Sequence, residues 1–327
     1  MGGSERRTAQ RVHGAALALT KRGAPTGAAP AWKVPAGTVL AGTVLAAAAL
    51  TACSSPHTSA AQSSATGPAA SRTAAASPAV RGAPAQPAAP ATPTSIWHPK
   101  PGLTWQWQLT EPVDTTVDVQ VYDIDGANNS AAVVRTLHAA GRKVICYVNA
   151  GAVESFRADA GRFPTSVIGS SNGWPGERWL DVRQLRILRP IMAARFADCA
   201  GKGFDGIEAD NVDGYANDTG FPLTAADQLA YNRMLASLAH ADELAIGLKN
   251  DVGQVPDLVA DFDLSVDEQC AEYDECAQLS PFIAAGKPVF HVEYTLQPAE
   301  FCPQTTGLGF SSMRKNPALD VPRWACR

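Results

Sequence analysis

From residue 99 onward, apolar runs of strand length recur, several of them ending in polar or charged side chains. They read "TWQWQL" (104–109), "VDVQVYDID" (117–125), "KVICYVNAG" (143–151), "FDGIEAD" (204–210), "LAIGLKN" (244–250), "DFDLSVDE" (261–268), "KPVFHVEY" (287–294) and "GLGFSS" (307–312). Helical patterns lie between many of them. Over 183–200, Leu185, Leu188, Met192, Phe196 and Cys199 fall at spacings of three and four, with Asp181 placed to cap the helix and Gly201 and Gly203 to stop it. Thr224 and Asp227 form a capping box that opens a second helix running to about Asp242. Strands alternating with helices predict a parallel sheet, and this many units in one domain over 99–327 predicts an α/β fold closed as a (β/α)₈ TIM barrel. Residues 110–116 are too few for a helix after the first strand. A doubly wound open sheet is the alternative fold, but no GxGxxG phosphate loop leading from a strand into a helix supports it.

The first hundred residues have a different composition. Scattered Arg and Lys (Arg6, Arg7, Arg11, Lys21, Arg22, Lys33) precede the apolar run "VPAGTVLAGTVLAAAAL" and the segment "LTAC", which ends at Cys53. That order predicts a signal peptide over 1–53, with "LTAC" resembling a bacterial lipobox and Cys53 as the lipidated residue. An ordinary secretory signal with an incidental cysteine is the alternative. Residues 54–98 follow as a linker of Ala, Pro, Ser and Thr, which cannot bury enough apolar surface to offset the entropy of ordering. The expected product is an exported protein, either a cell-surface lipoprotein that touches the membrane only through its lipid anchor or a secreted monomer.

Beyond Cys53 the chain has six cysteines, and an even number in an exported domain favours disulfides over metal or redox chemistry. Short spacings suggest Cys270 with Cys276 and Cys302 with Cys326, which leaves Cys146 for Cys199; buried thiols remain open for that last pair. Charge divides the chain as well. Residues 1–98 hold 8 basic and 1 acidic residues, whereas 99–327 hold 19 basic and 30 acidic. So acidic a domain repels nucleic acid and favours cationic ligands.

Barrel active sites lie at the carboxyl ends of the strands, so the strand ends map the candidate site. They offer Tyr122, Asp123 and Asp125; Tyr147 and Asn149; Glu208, Asp210 and Asn211; Lys249 and Asn250; Asp267 and Glu268; and Glu293 and Tyr294. Glu208 and Asp210 are two apart on one strand and take the same face. Close carboxylates in a low-dielectric cleft separate their proton affinities, as an acid and base acting on a glycosidic bond require. The competing reading is structural, with these carboxylates paired to a cation such as Lys249. "EADNVDG" resembles a calcium loop only superficially: Val212 sits where an oxygen ligand is needed and the distal Glu is absent, so neither metal nor cofactor is expected. Ser265 and Ser311 lack a GxSxG context, and His291 reads as a satisfied interior histidine. Trp105, Trp107, Tyr122, Tyr147, Trp174, Trp179 and Tyr215 are candidates to stack on sugars, with core packing favoured for Trp107 and Trp179.

Several blocks, in order, carry a family likeness: "VICYVNAG", "WPGERWLDVR", "GFDGIEADNVDGYANDTGFPLT", "GLKND", "DEQCAEYDEC" and "PVFHVEY". Together they resemble glycoside hydrolase family 114, the endo-α-1,4-polygalactosaminidases. The resemblance implies a TIM-barrel glycosidase acting on cationic, galactosamine-containing polysaccharide, with Asp210 and Glu268 matching the family's catalytic pair. Asp267 stands where many relatives carry Asn. The expected substrate contacts are Trp105, Tyr122, Asp123, Tyr147, Glu208, Asn211, Asp213, Lys249, Asn250, Asp267, Glu293 and Tyr294. A lipoprotein that binds amino-sugar polymers without cleaving them is the alternative function.

Overall fold

A computed structural model describes residues 96–326. The readings of a signal segment, of lipidation at Cys53 and of the linker up to residue 95 lie outside the described residues. Seven of the apolar runs hold a strand, β1 (Trp105–Gln108), β2 (Val121–Asp125), β3 (Lys143–Asn149), then, after an inserted sheet, β7 (Gly206–Asp210), β8 (Ala245–Lys249), β9 (Leu264–Glu268) and β10 (Val289–Glu293), while the eighth, β11 (Ser311–Lys315), starts later than its run and shares only Ser311 and Ser312 with it. These pair in chain order, and every ladder among them is parallel. A last strand, β12 (Arg323–Ala325), adds antiparallel to β11.

The connecting helices are α1 (Ala131–Ala139), α2 (Leu185–Lys202), α3 (Ala225–Ala241), α4 (Val255–Leu258), α5 (Ser280–Ala284) and α6 (Pro298–Gly307). β1 leads to β2 without one, as the short spacing requires. Thr224 and Asp227 form the expected capping box on α3. Helix α2 begins later than its pattern suggested, with Gln184 at the N-cap. Asp181 does not cap it, because its carboxylate is taken by the Arg183 guanidinium at 2.7 and 2.9 Å. The helix stops at Gly203, whose φ of 90° is a left-handed conformation that glycine adopts without steric penalty.

Side chains alternate between two layers, because successive strand residues point to opposite faces. Trp105, Trp107, Val121, Ile145, Leu264, Val266, Phe290, Val292 and Met313 pack together inside the barrel. Their neighbours, among them Ile124, Val144, Cys146, Ile207, Ile246 and Leu248, pack outward with helix residues such as Val134, Leu188, Phe196 and Leu235. At the seam between β1 and β11, side chains make the contact: the Trp105 indole donates to the Ser311 carbonyl at 2.8 Å, and Lys315 donates to Gln106 Oε1 at 3.2 Å. Cys146–Cys199, Cys270–Cys276 and Cys302–Cys326 are disulfides. The first ties β3 to α2. No helix among the described residues is long and apolar enough to cross a membrane.

Between β3 and α2 the chain builds an element absent from the predicted pattern. β4 (Ala152–Glu154), β5 (Ile168–Ser171) and β6 (Glu177–Leu180) form an antiparallel sheet in the order β4-β6-β5.

Candidate active site

A pocket of about 220 Å³ opens at the carboxyl ends of the strands. It is lined by Trp107, Leu109, Tyr147, Trp174, Glu177, Asp210, Asn211, Lys249, Glu268, Tyr294 and the segment Pro317, Ala318 and Leu319. Its organising charge is Lys249, the last residue of β8. The Lys249 ammonium lies 3.0 Å from Asp210 Oδ1, 3.1 Å from Glu268 Oε2 and 3.2 Å from Glu208 Oε1. Burial alone would discharge this lysine, but the charges of Asp210, Glu268 and Glu208 outweigh it and hold its pKa well above the ordinary lysine value. The Trp107 ring lies 4.6 Å from the same nitrogen and offers its π face as an uncharged neighbour.

Each mouth carboxylate also accepts a tyrosine hydroxyl. Tyr147 donates to Asp210 Oδ2 at 2.7 Å, and Tyr294 donates to Glu268 Oε1. Burial first, and then the adjacent carboxylate, raises both phenols well above their usual pKa, so both remain protonated donors. Asn211 adds a hydrogen bond to Asp210 Oδ2 at 2.9 Å, and Asn250 accepts the Glu268 backbone N–H at 3.0 Å. Asn211 and Asn250 hold φ values of 61° and 52°, a left-handed turn that asparagine tolerates better than most residues. The turn at Asn211 is tight enough to select its neighbour: a Cβ on Gly151 would stand 1.6 Å from the Asn211 carbonyl oxygen. The Gly151 and Ala150 N–H groups both donate to the Asp210 carbonyl at 3.0 Å, fixing the strand end that carries the acid.

Beneath this layer, Glu208 and Asp123 are fully buried. As two carboxylates, neither would have a hydrogen-bond donor apart from Lys249. Burial, followed by the charge of Glu208, raises the Asp123 pKa well above the carboxylate range. Glu208 is pushed up to about 7, with burial raising it, Lys249 lowering it and Asp210 raising it again. A proton on Asp123 donated to Glu208 satisfies both groups and leaves Glu208 as an anion for Lys249.

The structure separates the residues that sequence put at the rim. Asp210, Glu268, Tyr147, Asn211, Lys249 and Tyr294 line the pocket. Glu208 and Asp123 lie below it, and Asn250 positions the Glu268 backbone. Trp105 is buried one layer deeper, its indole spent on Ser311. Tyr122 faces the outer layer, its hydroxyl donating to the Val117 carbonyl at 2.8 Å. Asp267 and Glu293 are fully buried, because each is one residue out of phase with the lumen-facing Glu268 and Tyr294. The Glu293 carboxylate accepts the Ala271 N–H at 2.9 Å and contacts His291 Nε2 at 3.0 Å, bracing the loop after β9. Asp213 is buried beyond the strand end, away from the pocket.

Sequence reasoning missed Glu177. Its placing of Trp107 in the core holds, and the Trp107 ring also borders the pocket, since it lies nearer the mouth than Trp105 on the same face of β1. Glu177 is half-buried, and its carboxyl is pushed up to about 7, chiefly by burial; Asn172 pulls it down and the Asp210 charge raises it. A carboxyl raised in this way stabilises the fold fully below its unfolded value near 4.5 and loses that contribution as pH rises to about 7. Glu177→Gln is therefore expected to stabilise the protein at pH 8 by about 1–2 kcal/mol, a figure discounted for partial solvent access. The advantage should vanish at pH 4. Thermal melts at both pH values check this, and equal melting shifts would refute it.

A parallel α/β barrel whose strand ends gather carboxylates around one cleft is an arrangement that glycoside hydrolases use. Residues 86–327 match the glycoside-hydrolase family GH114, and the chain belongs to that family. Among solved structures it is similar to Aspergillus fumigatus Ega3 in complex with galactosamine, at 39% identity and a TM-score of 0.68, covering 71% of this chain and 98% of that one. The glycoside hydrolase domain of PelA from Pseudomonas aeruginosa shares the fold at 17% identity and a TM-score of 0.53, covering 68% of this chain and 98% of its own. An uncharacterized protein of Deinococcus radiodurans is 30% identical, over 58% of this chain and 68% of its own length.

Proposed function

We propose that the domain is an exported endo-acting hydrolase that cleaves α-1,4 linkages in galactosamine-rich polysaccharide, with Asp210 as nucleophile and Glu268 as acid and base. The supporting observation is the single ammonium of Lys249 shared by both carboxylates at the pocket floor. The two contacts of 3.0 and 3.1 Å add to 6.1 Å, so those two oxygens lie no further apart than that. Such closeness favours the roughly 5–5.5 Å arrangement of retaining enzymes over the wider spacing that admits a water in inverting ones. The acidic domain and the galactosamine held by the relative at 39% identity support a cationic amino-sugar substrate. The disulfides support export to an oxidising compartment.

Glu268, an anion beside Lys249 in the resting site, takes up a proton from solvent as substrate binds and, in the first step, gives it to the glycosidic oxygen while Asp210 attacks the anomeric carbon. The C–O bond to the leaving sugar breaks as the bond to Asp210 forms. Tyr147, Asn211 and Lys249 donate to Asp210 and keep it anionic and aimed. In the second step, Glu268 takes a proton from water, whose oxygen displaces Asp210 and restores the original anomeric configuration. Incubation with partly de-N-acetylated polygalactosamine should yield shortened oligomers by mass spectrometry, with α-anomers appearing first by NMR. Binding without shortening would leave a polymer-binding protein instead, and first-formed β-anomers would exclude the double displacement.

A further inference from the structure

The insert between β3 and α2 brings one carboxylate into the pocket without a cation. Glu177 lines the wall, and among the described residues no lysine or arginine pairs with it. The nearby cations are committed elsewhere. Lys249 holds Glu208, Asp210 and Glu268. Arg157 holds Asp125 and Glu154 at 2.6 and 2.8 Å, Arg195 holds Asp159 at 2.7 Å, and Arg178 donates to the Gly169 carbonyl at 2.7 Å.

Glu177 is nevertheless held in place. Asn149 and Asn172 donate to its Oε2 at 2.9 and 2.8 Å. Both amides are fixed in that orientation, because their carbonyl oxygens accept the Ala152 and Trp174 N–H groups at 2.9 and 3.1 Å. The two buried asparagines thus anchor one carboxylate oxygen, and no described residue donates to the other, Oε1. Trp174, three residues earlier on the same hairpin, is 36% exposed and lines the same pocket, where a sugar ring can stack on it.

We propose that Glu177 is the receptor for the ammonium group of a galactosamine residue, so that the pocket selects free-amine over N-acetylated sugars. This rests on the reading of the pocket as a galactosamine-polymer site and names the residue that sets its acetylation preference. An ammonium supplies the missing counter-charge and donates a charge-assisted hydrogen bond to Oε1. An N-acetyl group is neutral, bulkier and has a single N–H, so it leaves the carboxylate uncompensated.

The test uses the full chain carrying Glu268→Gln, with calorimetric titration of a short galactosamine oligomer and of its N-acetylated counterpart. The parent is expected to bind the free-amine oligomer at least about tenfold more tightly, and Glu177→Gln to lose that preference, within the span of one charged hydrogen bond. Glu177→Asp, which keeps the charge but retracts it by one methylene, should show an intermediate preference. The melting temperature of Glu177→Gln, expected to be no lower than the parent's at pH 8, separates lost recognition from lost folding. An unchanged preference in Glu177→Gln, or Glu177→Asp behaving as Gln does, overturns the assignment. If the chain with Glu268 intact cleaves neither polymer while the binding preference still depends on Glu177, the hydrolase reading fails and the ammonium receptor stands.

Discussion

Asp210→Asn and Glu268→Gln are each expected to lower kcat on galactosamine polymer by about 10³–10⁵-fold, with little change in the melting temperature. Both amides are near-isosteric with the carboxylates, so the hydroxyls of Tyr147 and Tyr294 keep an acceptor in each variant. The two losses should differ in kind. An aryl galactosaminide whose leaving group needs no proton should recover much of the first-step rate in Glu268→Gln and none in Asp210→Asn. The expected effects of the two changes together are far from additive, because the proposed mechanism has both residues act in one displacement. Burst kinetics and steady-state rates on both substrates provide the check. Residual polymer cleavage within tenfold of the parent in either variant would remove these two side chains from the chemistry.

Lys249→Met should be strongly destabilising, costing about 3–5 kcal/mol, because it leaves Asp210, Glu208 and Glu268 without their shared cation. Methionine matches the volume, so the loss is electrostatic rather than a cavity. For a domain of this size that corresponds to a fall of roughly 6–20 °C in melting temperature. Adding Glu208→Gln removes the deepest of the three anions and should return a large part of the loss, a coupling that a double-mutant cycle reads directly. An unchanged Tm in Lys249→Met, or strictly additive behaviour of the double variant, would mean that the cluster is held by something other than this ammonium. Hydrolysis should also fall, since a floor of uncompensated anions favours protonation of Asp210.

The strands could be read from the sequence because each apolar run overlaps one barrel strand, and the acidic ends of those runs marked the mouth at which the pocket opens. The pairing of Glu208 with Asp210 on one face could likewise be read, because two residues of extended chain return to the same side. Asp210 could also be read as the nearer of the two to the mouth; what was not legible is that Glu208, one layer below, is sealed from the pocket among Lys249 and Asp123.

Absolute facing was not legible either, and it decided which acids reach the pocket. A strand buried on both sides shows no polar alternation, so its period of two relates neighbours without saying which set looks inward. Asp267 beside Glu268 and Glu293 beside Tyr294 were therefore indistinguishable in the sequence, and the barrel assigns one of each pair to the lumen and the other to the outer layer. The sequence by itself determined the order of strands, the acidic character of the mouth and the residues that carry the family likeness. Only the tertiary structure decided the parity at β9 and β10, and the arrival of Trp174 and Glu177 on a small sheet whose three- and four-residue strands are too short to leave a periodic signal.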